Sequence, residues 1–252
     1  MASSSTLPFT LITNTNIDAW TDIPPNHPCI TLAQKMAEVH NTFIRLCNAS
    51  YIQAPQIKPG TADASDFLTW NKYIVDMIHE HHDSEEEEMF PLLENLVGTP
   101  GILSGNVDQH QAFHDALEKF ESYCKNTKAD DYSSEKVRQL WEELAPALNK
   151  HLMDEPETFY RLKDTDPKEL QKLLDQFNKA AEKKTDLFTF GVLFLQAQDN
   201  EFPGVNGKTQ ILFADMPGFA RYMIHYGTAW RYNRLWKFNP SDTFGNMKAG
   251  FV

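Results

Sequence analysis

His79-Glu-His-His-Asp-Ser-Glu-Glu-Glu-Glu-Met-Phe-Pro91 (HEHHDSEEEEMFP) runs on directly from the apolar stripe Phe67, Trp70, Ile74, Met77 and Ile78. Apolar residues recurring at steps of three and four mark one face of a helix, so the run lies on the continuation of that helix. Residues four apart sit one above the other on a helix face, a turn apart. The run therefore offers two vertical pairs, His81 with Glu85 and His82 with Glu86. The stripe at 70, 74, 77 and 78 projects onto 81 and 85, whereas 82 and 86 lie about 100° further round. This register points His81 and Glu85 inward and leaves His79 and His82 beside the site or at the surface.

Three further stretches show the same helical period on either side of this run. Leu32, Met36, Val39, Phe43 and Leu46 form one stripe, ending near Ser50. The segment 51–63, with Pro55, Pro59 and Gly60, reads as a loop, and the helix carrying the run opens near Asp66 and stops within 91–98. Past the turn at 99–105, a third stripe carries Val107, Phe113, Leu117 and Phe120. A fourth, opening at Ser133 or Ser134, carries Val137, Leu140, Trp141, Leu144, Leu148 and Leu152. Four such helices with modest loops predict an all-α fold, an antiparallel four-helix bundle over 31–160. Residues 1–30, with Pro24, Pro25 and Pro28, read as an extended arm. Residues 161–252 read as a helical and irregular extension packed on the bundle: one helix runs from Pro167 to about Lys184, and another after Pro217 contains Phe219, Tyr222, Met223 and Tyr226.

The remaining helices carry matching chemistry. His110 and His114 are four apart on the third, His151 and Glu155 are four apart on the fourth, and His40 is in phase with Met36 and Phe43 on the first. A lone inward histidine is more often a satisfied core residue, and an acidic run is more often a solvated face. One HxxxH or HxxxE is weak by itself. Three such pairs on successive helices, with an inward histidine on the remaining one, favour a metal site. Imidazole with carboxylate suits iron, manganese or zinc, and two carboxylates among five histidines suit a pair of ions bridged by glutamate. Zinc usually takes four ligands, so zinc and manganese are the alternatives to iron. Pro156 predicts a kink or end of the fourth helix at Glu155, leaving Asp154 and Glu157 as alternative bridging groups.

Composition narrows the partners. At 252 residues and 41% hydrophobic the chain can bury a sizeable core. A net charge of −12 argues against nucleic acid and anionic membrane surfaces. No apolar run approaches a membrane span, and the first residues lack the basic start and apolar stretch of a signal peptide. Cys29, Cys47 and Cys124 offer neither a disulfide framework nor a thiolate site. A cytoplasmic protein is the expectation.

The ordered series His40, His81-x-x-x-Glu85, His110-x-x-x-His114 and His151-x-x-x-Glu155 resembles the hemerythrin-like cation-binding domain, and Phe90-Pro91 matches that family's usual ending of the acidic motif. The likeness covers about 31–160, and RYNRLWKFNPSDTFGNMKAGF at 231–251 is similar to the C-terminal extension of fungal members. The resemblance implies two non-haem iron ions, with room for an oxo or hydroxo bridge. Carried over by position, His110, His114 and His151 hold one iron, His40 and His81 hold the other, and Glu85 and Glu155 bridge them. The second ion then keeps an open position for dioxygen, which oxygen-carrying members bind reversibly. The implied function is binding of dioxygen or iron. The alternative is a di-iron oxidase or oxygenase acting on a small organic substrate held between bundle and extension.

Overall fold

The computed structural model describes residues 7–184, 186, 188–202, 218–228, 230, 232–249 and 251. The helix of the deciding run, α2 (Ala62–Ser84), begins four residues before Asp66, because Thr61 caps it: the Thr61 hydroxyl oxygen accepts from the Ala64 amide at 3.2 Å. Beyond Ser84 the backbone widens into a π-turn over Glu85–Met89, an i→i+5 insertion of the kind found at functional sites. It continues as α3 (Phe90–Val97), with Pro91 directly after the π-turn, and ends at Gly98 with φ 72°.

The other long helices are α1 (Pro28–Gln53), α4 (Ser104–Asn126) and α5 (Ser134–Thr158), the last capped by Ser133. α1 packs on α2, α2 on α4, α4 on α5 and α5 on α1, which closes the up-down-up-down bundle that the periodicity implies. Among the described residues the only strand-like feature is an isolated bridge between Ser241 and Met247. No described helix is long and apolar enough to cross a membrane.

The interior is divided into two apolar cores. One is built around Phe43, Phe67, Trp70, Ile78, Phe120 and Trp141, with Phe120 and Trp141 edge to face at 4.4 Å. The other gathers Leu32, Met36, Met89, Phe90, Phe159 and Leu162. Each long helix passes from one core to the other near its histidines: Met36 to Phe43 on α1, Ile78 to Met89 across the π-turn, Val107 to Phe113 on α4, and Leu152 to Phe159 along α5 and the turn that follows it. A belt of polar side chains fills the changeover.

The first described residues lie along α1. The Asn41 amide group bonds both the Ile12 amide and carbonyl, at 2.8 and 2.9 Å, and the Phe9 ring meets Trp141 edge on. Past the bundle, α6 (Pro167–Lys184) packs on α1 and α3, and α7 (Phe190–Ala197) on α1 and α2. α8 (Gly218–Met223) realises the helix expected after Pro217, and α9 (Asn233–Trp236) lies on α2. The expectations for 1–6 and 203–217 lie outside the described residues.

Candidate metal centre

Two groups of metal-competent atoms share the polar belt. His40, His81, Glu85 and Glu155 form one, and His82, Glu85, His110 and His151 form the other; within each group all ligand atoms lie within 4.8 Å of one another. Glu85 belongs to both. One of its oxygens lies 3.0 Å from His81 Nε2 and the other 3.7 Å from His110 Nε2. Glu155 Oε2 lies 3.2 Å from His40 Nε2 and 3.7 Å from His151 Nε2.

Of the seven sequence-read residues, six meet here, and His114 does not. It is 48% exposed on the flank of α4, beside Asp115 and Glu118. The inward stripe of α4 passes from His110 to Phe113, Leu117 and Phe120, so position 114 is turned outward. Phe113 takes the space a second α4 ligand would need, its ring 5.0 Å from His82 and 5.6 Å from His151. His82 joins the cluster in place of His114. Sequence reasoning chose one vertical pair on α2, but His81 and His82 straddle the line between the two groups, and Glu85 one turn on reaches both. The signal available for His82 was its three-residue step to Glu85. His79 lies on the outer side, its ring 6.2 Å from that of His114.

Neighbouring groups fix the imidazole tautomers. His110 Nδ1 donates to Glu86 Oε1 at 2.7 Å. His151 Nδ1 donates to Gln109 Oε1 at 3.2 Å, and Gln109 is oriented by its own Nε2 donating to Asp154 at 2.9 Å. His40 Nδ1 donates to the Leu152 carbonyl at 2.8 Å. Each bond leaves the Nε2 of a neutral ring with a bare lone pair. His110 and His151 then face each other Nε2 to Nε2 at 3.2 Å, and His40 and His81 at 3.3 Å. Between His110 and His151 two lone pairs that close repel unless a cation lies between them; His81 has no Nδ1 partner, so its Nε2 can equally donate to His40. Ligand nitrogens about 2.1 Å from one ion stand roughly 3.0–3.4 Å apart, the spacing found here.

Burial completes the case for a cation. Both nitrogens of His82, both oxygens of Glu85 and Glu155 Oε2 are buried without a hydrogen-bond partner, a costly arrangement for any group left unmatched. Burial, with the neighbouring histidines, pushes His81, His82 and His151 well below the usual histidine range, so they are neutral and ligand-ready. Burial, and then the Glu155 charge, pushes Glu85 well above the usual carboxylate range. The donor set fits divalent cations that accept imidazole and carboxylate together.

Pro156 does not end α5, which runs on to Thr158 with Glu155 fully buried. Asp154 pairs with Lys150 and Gln109, and Glu157 accepts from Asn16, so both alternative bridging groups are engaged elsewhere. Proline lacks the amide that would bond the carbonyl four residues back. That carbonyl is Leu152, and His40 takes it. Pro156→Ala restores the competing amide. It is expected to raise the melting temperature of the metal-free protein while weakening metal binding about tenfold, the scale for a lost partner of a ligating histidine. Competition with a chelating dye measures the second effect. Unchanged affinity would show that His40 is oriented without the freed carbonyl.

Residues 31–163 match the family described as Hemerythrin HHE cation binding domain. A curated relative, "Dimeric xanthone biosynthesis cluster protein R11" of Cryptosporiopsis sp. (strain 8999), is 37% identical over 226 residues, covering 88% of this chain and 83% of that protein. No solved structure matches the chain.

Proposed function

The chain belongs to the hemerythrin HHE cation-binding domain family, and from that premise we propose that it holds two iron ions, one in each group of the polar belt, and binds dioxygen there. In this reading His40, His81 and Glu155 hold one ion, His82, His110 and His151 hold the other, and Glu85 bridges. The facing His110–His151 nitrogens, together with the unpartnered buried atoms of His82, Glu85 and Glu155, carry the proposal, because a cation satisfies them all at once. Iron bound in the belt supplies one-electron redox chemistry and a seat for dioxygen. The residues do the rest: Glu86, Gln109 and the Leu152 carbonyl hold the rings in place, while Phe113 and Phe90 exclude water beside His82 and His110. Metal analysis of protein purified without added metal, with optical spectra before and after air, tests this. About two iron per chain and a coloured, reversible adduct are expected; zinc alone, or no metal, would overturn it.

A second reading, a di-iron oxidase or oxygenase of a small organic molecule, has its own support. A cavity opens beside His81, walled on one side by α6. The relative's name places that protein in a biosynthesis cluster. Consumption of dioxygen with loss of an added organic compound would favour it over reversible binding.

A further inference from the structure

Among the described residues whose atoms form the two groups, His81 is the one most open to solvent. The side chains of His40, His151 and Glu155 are fully buried, Glu85 and His110 nearly so, while His81 is 15% exposed. The exposed edge of His81 faces a cavity of about 160 Å³ that also reaches Glu85. Met36 and Val39 of α1 form one wall, Met89 of the π-turn a second, and Leu174 and Phe177 of α6 the third. The C-terminal extension thus contributes to the site through α6. In the segment that follows, the Phe194 ring lies 6.0 Å from that of Phe43.

Size and charge select an occupant. A dry cavity of roughly 150 Å³ holds one benzene ring, and pockets for drug-sized ligands begin at about 300 Å³, so this space suits a single ring and excludes fused polycycles. Three sulfur or aromatic groups, Met36, Met89 and Phe177, suit an aromatic face. Lys35 stands at the same cavity, half-buried, with no ion pair among the described residues. An ammonium with no counter-ion among the described residues is free to take an anionic partner.

We propose that the cavity between α1, the π-turn and α6 binds a single-ring aromatic acid, its ring against Met36, Met89 and Phe177, its carboxylate on Lys35, and its far edge toward His81. The cavity itself is independent of the metal reading; only what the ring faces rests on it. The bound ring lies over the His40–His81 side of the belt, so it controls approach to that half of the centre and leaves the His82–His110–His151 half sealed.

The test uses the full chain as purified, with iron measured on the same samples. Binding of 4-hydroxybenzoate, 4-hydroxybenzyl alcohol and 9-anthracenecarboxylate is followed by saturation-transfer NMR and equilibrium dialysis. Saturable binding of 4-hydroxybenzoate is expected, tighter than the alcohol, with the tricyclic acid excluded. Lys35→Gln is expected to weaken the acid about tenfold and leave the alcohol unchanged. Leu174→Trp, which fills the space, is expected to abolish both at unaltered iron content. Equal binding of acid and alcohol, an unaffected Lys35→Gln or Leu174→Trp, or competition by the tricyclic acid would overturn the proposal. Absence of acid binding by the unsubstituted chain at full iron content sinks the pocket alone. Ring binding without iron sinks the metal reading alone.

Discussion

His82→Ala is expected to lower bound iron from about two equivalents per chain to about one, while His114→Ala leaves both in place. The contrast separates two histidines that the sequence alone would rank in the opposite order. His82 is buried among His110 and His151, with ring centroids 4.5 and 4.9 Å away, and its nitrogens have no other partner. Removing it deletes a ligand to the sealed half of the belt without breaking a hydrogen bond, so the fold survives. His114 stands half in water next to Asp115 and Glu118, where substitution costs little. Elemental analysis of the two variants, with circular dichroism as a check on folding, decides it. Equal iron in wild type and His82→Ala would remove His82 from the centre.

Stripping the metal should lower the melting temperature by roughly 10–20 °C. Five atoms of His82, Glu85 and Glu155 lose their only compensation. At about 1–3 kcal/mol for each unmatched buried group the loss is at least on the order of 5 kcal/mol. A chain of this length shifts by about 2–4 °C per kcal/mol. Acid then acts on the stripped protein. His81, His82 and His151 are held neutral in the fold, so below about pH 6.5 the unfolded chain takes up protons that the fold refuses, and stability falls as pH falls. Each histidine contributes up to about 1.4 kcal/mol per pH unit. Glu85 has the opposite sign: its raised value gives stability that is present below about pH 4.5 and lost as pH rises above it. Three groups outweigh one, so the stripped protein should melt progressively earlier between pH 6.5 and 5. Thermal melts with and without chelator across that range test both statements. Coincident melts at neutral pH would deny the metal a part in holding the belt together.

The bundle was legible because its stripes are long and regular: Phe67 to Ile78 and Val137 to Leu152 fix two helices and their inward faces without reference to anything distant. The residues that the fold brings together were legible where a candidate ligand continued a stripe, as His40, His81, Glu85 and His151 do. Legibility failed at His114 because an i, i+4 pair shares a face only approximately, and Phe113 lies closer to the centre of that face. It failed at His82 because the inward face of α2 is wide enough for two neighbouring residues when the groups they serve lie side by side. The groups that orient the rings could not be read at all. Gln109 acts from the helix facing His151, and the freed carbonyl of Leu152 matters only because α1 brings His40 against it.

Among the described residues a belt of charged and titratable side chains stands between the two apolar cores, so the oily attraction that normally knits a domain into one melting unit is weakened at mid-height. With cations in the belt, each half is riveted to the other through ligands from all four rods, and the bundle behaves as a single cooperative body. Without them the seam becomes a line along which one half can loosen while the other stays packed. Cooperativity that depends on the cations would then be partly inorganic in origin.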